Sequence, residues 1–215
     1  MTTIGIIGSG HVGSSLARAA IAHDYDVVLS NSQGPDSLAE LVGELGQKAR
    51  AASPVEAAKA ADFAVVAIPI TAVDDVPAEP LAGKVVLATL NYFPQRDGHF
   101  PEIDNGTTTA PGVLQAHLPQ SKVVRAFSMI DAADMSDDGH PPGDPKRRAL
   151  ALAGDDEEAK RLVVRIYDEF GFDAVDLGPL AESWRVDPGQ AGFVTHQNLA
   201  ELTANAANAK RNSGV

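Results

Sequence analysis

The chain has 215 residues, 29 of them acidic and 17 basic, for a formal net charge of −12. That balance argues against non-specific nucleic-acid binding and against attraction to anionic membranes. There is no cysteine, which excludes disulfides, thiolate nucleophiles, cysteine-held zinc and iron–sulfur clusters.

In chain order, Thr3 to Gly8 reads as a buried strand. A glycine-rich turn follows, then a helix from about His11 to Ala22. Asp26 to Ser30 is a second apolar strand, Asn31 to Pro35 a turn, and Asp36 to Leu45 a helix. Ala49 to Ala52 forms a short strand. Ser53-Pro54 then starts a helix, serine being a good cap and proline suiting the first helical position. Asp62 to Ile68 and Lys84 to Leu90 are further strands. Continuous apolar runs of this kind suit parallel strands covered on both faces.

Residues 91–107 read as a loop, Thr108 to Leu118 as a helix and Lys122 to Phe127 as a strand. Residues 131–148 form a polar loop with three prolines that ends in Lys146-Arg147-Arg148. Ala149 to Ala153 is a strand. A long helix follows, with Asp155 as its expected cap, Glu158 as the partner in a capping box, and Gly171 at its end. Ala159, Leu162, Val163, Ile166 and Phe170 make its apolar stripe. Phe172 to Asp176 is the last strand, and a polar tail carries a helix near 196–211.

Strands alternating with helices predict an α/β fold: a doubly wound, mainly parallel sheet of the Rossmann type with a small C-terminal α/β appendage. Residues 1–130 are expected to form the nucleotide-binding domain. Residues 131–215 are expected to form a smaller portion packed on the same sheet. The longest apolar stretch, Ala61 to Ile70, is too short to span a bilayer. The N-terminus lacks the basic region of a signal peptide. A cytoplasmic protein without membrane or nucleic-acid partners is expected.

Gly8-Ser9-Gly10-His11-Val12-Gly13 matches the G-x-G-x-x-G fingerprint and stands where it should, after a strand and opening a helix. Gly8 permits the tight turn, Gly10 lets backbone approach a pyrophosphate, and Gly13 lets the helix pack on the strand. The helix start offers free N–H groups and a positive dipole end to phosphates. A dinucleotide is the expected ligand. At the end of the second strand an NAD enzyme usually carries Asp or Glu. Here stands Ser30-Asn31-Ser32-Gln33, whose hydroxyls and amides can donate to a 2′-phosphate. NADP is favoured over NAD.

GIIGSGHVGSSLA, VVLSNSQGP, ATLNYFPQRDG, VVRAFSMI and the stretch from ALAGDDEEAK to LGPLAES resemble the NADPH-dependent reductases of the deazaflavin coenzyme F420. The likeness runs to about Trp184. It implies direct hydride transfer between NADPH and the deazaflavin, usually in a homodimer. By position it implies that Ser9, Gly10, His11 and Val12 line the pyrophosphate. Ser30, Asn31, Ser32 and Gln33 then meet the adenosine end. Ile68 and Pro69 lie beside the ribose and nicotinamide, with Asn91 and Tyr92 near the ring. Phe127, Ser128, Met129 and Ile130 border the hydride acceptor. Gln33 stands where such reductases commonly carry arginine, and His11 where many carry asparagine.

Hydride transfer needs two flat rings stacked in a dry pocket, and the cofactors carry the reaction. No catalytic acid or base is expected, and no metal: the six histidines lack ligand spacing. Asp137-Asp138 with His140 reads as a solvated loop. An anionic acceptor would need local cations, for which Lys146-Arg147-Arg148, Arg125 and Arg185 are candidates. For the basic run a solvated patch is the favoured reading. Trp184 packs the C-terminal part or flanks the acceptor pocket. The alternatives are reduction of another small acceptor (an imine, a carbonyl, a flavin or a ferric chelate) and a non-catalytic NADP(H) sensor.

Overall fold

In the computed structural model, described over residues 2–211, the eight apolar runs pair in the order β3-β2-β1-β4-β5-β6-β7-β8. The strands are β1 (Thr3–Ile7), β2 (Asp26–Ser30), β3 (Ala49–Ala51), β4 (Phe63–Val66), β5 (Val85–Ala88), β6 (Lys122–Arg125), β7 (Ala149–Gly154) and β8 (Asp173–Asp176). β1 to β6 are parallel, with Ile4 of β1 opposite Val27 of β2 and Phe63 of β4. β7 joins β6 antiparallel through Val124 opposite Gly154 and Arg125 opposite Ala153. β8 returns parallel to β7. This is the doubly wound Rossmann arrangement, extended at one edge by two strands.

The chain leaves β1 toward β2 on one side and reaches β4 on the other. Such a reversal opens a crevice at the carboxyl ends of the strands, where ligands of this architecture sit. Alternate strand residues face opposite layers. Ile4, Ile6, Phe63 and Val65 pack in one core with Leu16, Phe127, Tyr167 and Phe170. Ile7, Ala64 and Val66 pack in the other with Leu81, Leu114 and Leu118. Each fully buried Leu or Ile contributes roughly 1.5–3 kcal/mol.

The first helix spans His11–Ala22. The segment read as one helix over Asp36 to Leu45 is tighter at its start: Pro35–Leu38 is a 3-10 turn, and the α-helix is Ala39–Leu45. The helix Pro54–Ala60 carries the capping box of Ser53 and Glu56. Residues 91–107 are more ordered than a loop, with helical turns at Pro94–Asp97 and Pro101–Asp104.

The helix Glu157–Glu169 is capped by Asp156, not by Asp155. Asp156 Oδ1 accepts from Ala159 N at 2.8 Å, whereas Asp155 Oδ1 accepts from Leu180 N at 2.9 Å. Asp155 therefore ties the C-terminal segment to the sheet. Of the expected stripe, Ala159, Val163, Ile166 and Phe170 are buried. Leu162 is partly buried. The tail holds a 3-10 segment at Leu180–Val186 and a helix at Leu199–Ala207, shorter than the expected 196–211. No helix among the described residues is long and apolar enough to cross a membrane.

Candidate functional site

β1 delivers the chain to Gly8, whose φ of +99° belongs to the left-handed region. Gly8 N–H donates to Ser30 O at 3.0 Å, which ties the turn to the end of β2. A methyl on Gly13 would lie 1.9 Å from Gly8 O, so strand and helix are in direct contact there. Gly10 differs, because a methyl on it would meet nothing within 4 Å. The fold thus explains Gly8 and Gly13. It leaves an open cradle over Gly10.

Two further features bear on this cradle. The N-terminus of the helix His11–Ala22 has no side-chain cap and no acid in its first turn. Its first N–H groups therefore lack intrahelical acceptors, and the positive end of the dipole is uncompensated. The hydroxyl of Ser9 is buried without a hydrogen-bond partner. An orphaned donor beside free N–H groups fits a phosphate ligand. His11 is exposed at the helix start. Val12 is partly buried against the core.

At the end of β2 the four predicted residues divide. Ser30 is fully buried and donates to Ile6 O at 3.0 Å. Asn31 builds the loop: its Oδ1 accepts from Gln33 N at 3.0 Å and its Nδ2 donates to Ser37 Oγ at 2.8 Å. Ser32 and Gln33 are exposed, and their side chains are free to meet a ligand. The next acid in the chain is Asp36.

Ile68 follows β4 and lies against Gly8, its Cγ2 2.8 Å from where a Gly8 methyl would be. Pro69 beside it is exposed. Asn91 follows β5 and donates through Nδ2 to Ser128 O at 2.7 Å. Phe127, two residues past the end of β6, has a φ of +52°, a costly conformation for an aromatic residue. Tyr167 holds it there, its hydroxyl accepting from Phe127 N and donating to Ala151 O, both at 3.0 Å. Burial pushes the Tyr167 phenol well up, so it stays a neutral donor. The side chains of Phe127, Met129 and Ile130 pack into the core. Ser128 is buried against Arg125.

Beyond Tyr92 opens a cleft of about 970 Å³. Tyr92, Phe93, Trp184 and Pro188 form much of its wall, with Arg211 at one side. Tyr92 OH donates to Asp104 at 2.7 Å, which shapes the segment 92–104. Burial and that carboxylate raise the phenol pKa. Arg185 and Arg211 lie 4.8 and 5.5 Å from the Trp184 ring centre. Phe93, Asp187 and Arg211 were not among the expected site residues. A repeated Phe-Pro-x-x-Asp, at Phe93 and again at Phe100, was the available sign of structure in this wall.

The expected cationic residues are mostly consumed by the fold. In the run Lys146-Arg147-Arg148 only Lys146 is exposed. Arg147 pairs with Asp168 and Asp173 at 2.7 and 2.8 Å, and Arg148 with Asp134 at 3.1 Å. The run is neither a solvated patch nor an anion site. Arg185 bonds Glu182 at 2.7 Å and stacks on Trp184. Asp138 lies near Arg148, His140 and His196, and no cluster among the described residues could hold a metal.

Fold, turn and open helix start together define a dinucleotide-binding protein. Residues 3–92 match the family described as NADP oxidoreductase, coenzyme F420-dependent. The match is confined to that N-terminal part of the chain. The metalloreductase STEAP3 of Rattus norvegicus is 28% identical over 184 residues, covering 86% of this chain and 35% of its own length. The chain thus spans about a third of that curated relative. A hypothetical protein from Sinorhizobium meliloti has a structure with TM-score 0.78 and 29% identity, covering 92% of this chain and 96% of that one. A structure from Arthrobacter sp. FB24, provisionally named an F420-dependent NADP-reductase, has TM-score 0.72 and 24% identity and covers 85% and 87%. At that identity it speaks for the fold.

Proposed function

We propose that the chain is an oxidoreductase that holds NADP(H) at the glycine turn and passes a hydride to a small planar acceptor in the adjoining cleft. The observation that carries this reading is the Gly10 cradle, with its orphaned Ser9 hydroxyl and uncapped helix start. Bound NADPH would supply the hydride. The backbone N–H groups from Ser9 to Gly13, with the Ser9 hydroxyl, would hold the pyrophosphate. Ser32 and Gln33 would donate to the 2′-phosphate on a loop shaped by Ser30 and Asn31. Ile68 and Pro69 would give the nicotinamide an apolar wall and exclude water, and Asn91 would bind its carboxamide. Tyr92 and Trp184, with the turn from Phe127 to Ile130 behind Asn91, would shape the acceptor side. In the same proposal residues 1–130 serve the dinucleotide, residues 131–215 the acceptor, and two chains pair.

The family and the Arthrobacter neighbour's name support coenzyme F420 as the acceptor. One observation favours a less charged acceptor such as a free flavin, an imine, a carbonyl compound or a ferric chelate. Arg147 and Arg148 are bound to the protein's own carboxylates, and Arg211 is the one arginine lining the cleft among the described residues. Parallel calorimetric titrations with NADPH, NADH and coenzyme F420 test binding. Anaerobic mixing of NADPH with each acceptor then tests turnover. Tighter binding of NADPH than of NADH and bleaching of the deazaflavin band are the expected results. Failure to bind NADPH overturns the reading. Turnover of a flavin alone moves the acceptor to the second class. Binding without turnover of any acceptor leaves a sensor.

A further inference from the structure

Arg125 closes β6 and is fully buried. A guanidinium has five N–H donors and no acceptor. All five are used here. Nε donates to Ser128 Oγ at 2.6 Å. Nη1 donates to Ser183 O at 3.0 Å and to the Asp187 carboxylate. Nη2 donates to Asn91 Oδ1 at 2.8 Å and to Val186 O at 3.2 Å. Arg125 therefore has no donor left for an anionic ligand, which corrects its expected role.

Its partners come from three segments. Asn91 follows β5, Ser128 follows β6, and Ser183, Val186 and Asp187 flank Trp184 on the cleft wall. A group that only donates must face the oxygen of the Asn91 amide. That contact fixes which way the amide points. Its Nδ2 then faces away from Arg125 and gives one N–H to Ser128 O at 2.7 Å. The second N–H has no partner among the described residues, and Asn91 is only partly buried.

We infer that Arg125 is a positioning residue: it locks the Asn91 amide so that one N–H faces the carboxamide oxygen of a nicotinamide ring, and it ties the Trp184 wall to the same point. This rests on the NADP(H) reading above. It differs from a plain structural role because it predicts a loss confined to the nicotinamide half of the ligand.

The test compares NADPH with 2′-phospho-ADP-ribose, which keeps the phosphates and lacks the nicotinamide. Arg125→Lys keeps the charge but cannot make five fixed bonds. It is expected to weaken NADPH about tenfold, as for loss of a hydrogen bond to a polar group, and to change 2′-phospho-ADP-ribose less than about twofold. In an Asn91→Ala background the same change is expected to add no nicotinamide-specific loss. Should Arg125→Lys fail to fold, Asp187→Ala removes one anchor from a partly exposed position, with an expected loss of about threefold for NADPH alone. Equal loss for both ligands, no loss for either, or an undiminished loss without Asn91 overturns the positioning role. A wild-type protein that binds 2′-phospho-ADP-ribose and NADPH equally also overturns it. Binding of neither overturns the NADP(H) reading instead.

Discussion

Two alanine substitutions in one turn should separate the fold from the ligand. At Gly13 a methyl would sit 1.9 Å from Gly8 O, and ordinary contact begins at 3.4 Å. The helix and the turn must move apart to admit it. Overpacking of this kind costs about 1–3 kcal/mol. For a domain of this size that lowers Tm by about 2–12 °C, at roughly 2–4 °C per kcal/mol. NADPH affinity falls with it, because the turn is displaced. At Gly10 the backbone has φ −71° and ψ −163°, open to alanine, and the methyl meets nothing within 4 Å. Alanine is a poorer cap than glycine by a few tenths to 1 kcal/mol. It also restricts the unfolded chain, worth about 0.4–1 kcal/mol in the other direction. Net stability should change by less than about 0.5 kcal/mol, or about 2 °C. The methyl nevertheless fills the space over the helix N–H groups. Losing charge-assisted contacts of about 1.5–3 kcal/mol should weaken NADPH on the order of 100-fold. Thermal melts followed by circular dichroism and titration calorimetry read the two effects separately. A Gly10→Ala protein that binds NADPH like the wild type would refute the cradle.

Three other perturbations probe different layers. Gln33→Arg adds a cation to an exposed loop that lacks one, and should tighten NADPH about tenfold while leaving NADH unchanged; equal effects on both cofactors would place the 2′-phosphate elsewhere. Arg147→Met removes a buried guanidinium from exposed Asp168 and partly exposed Asp173. It should cost about 2–3 kcal/mol in chemical denaturation and leave NADPH affinity intact, since the carboxylates left behind can still be hydrated. Asp156 is held below the usual carboxylate pKa by the Ala159 amide and then by Lys122. Its contribution is therefore complete above about pH 4 and is lost as pH falls through the lower folded value. Asp156→Asn keeps a good cap without the titration, so its stability should fall less steeply than the wild type's between pH 5 and pH 2 in urea melts.

The parts legible in the sequence were those written locally. The six parallel strands and the first helix announce themselves through apolar period and the glycine fingerprint, each within a few consecutive residues. The choice between Asp155 and Asp156 as a cap was not local. It turns on Leu180 N, which occupies Asp155 from 25 residues away. The Arg147-Arg148 pair misled for the same reason. A charge run predicts solvation unless partners arrive, and here they come from 21 and 26 residues on in the chain for Arg147. Arg125 draws its partners from as far as 62 residues away. Side-chain roles set by distant partners cannot be read from spacing, whatever the composition says.

The fate of those arginines changes what the net charge of −12 requires. An acidic protein that binds a dinucleotide must offset its own field near the phosphates. Its buried guanidiniums do not do so, because they pair with the protein's own carboxylates and saturate carbonyls. Local positive potential must then come mainly from the backbone: the uncapped start of the first helix, free of acids in its first turn. Those N–H dipoles are fixed by the fold and cost no side-chain entropy on binding. They are also short-ranged, falling off within a turn of the helix. Close approach at Gly10 is therefore a condition for binding, since the ligand cannot rely on a wider cationic surface to hold it at a distance. The salt dependence of NADPH binding should be correspondingly shallow, set by a dipole and by Ser32 and Gln33 instead of by a cluster of exposed cations.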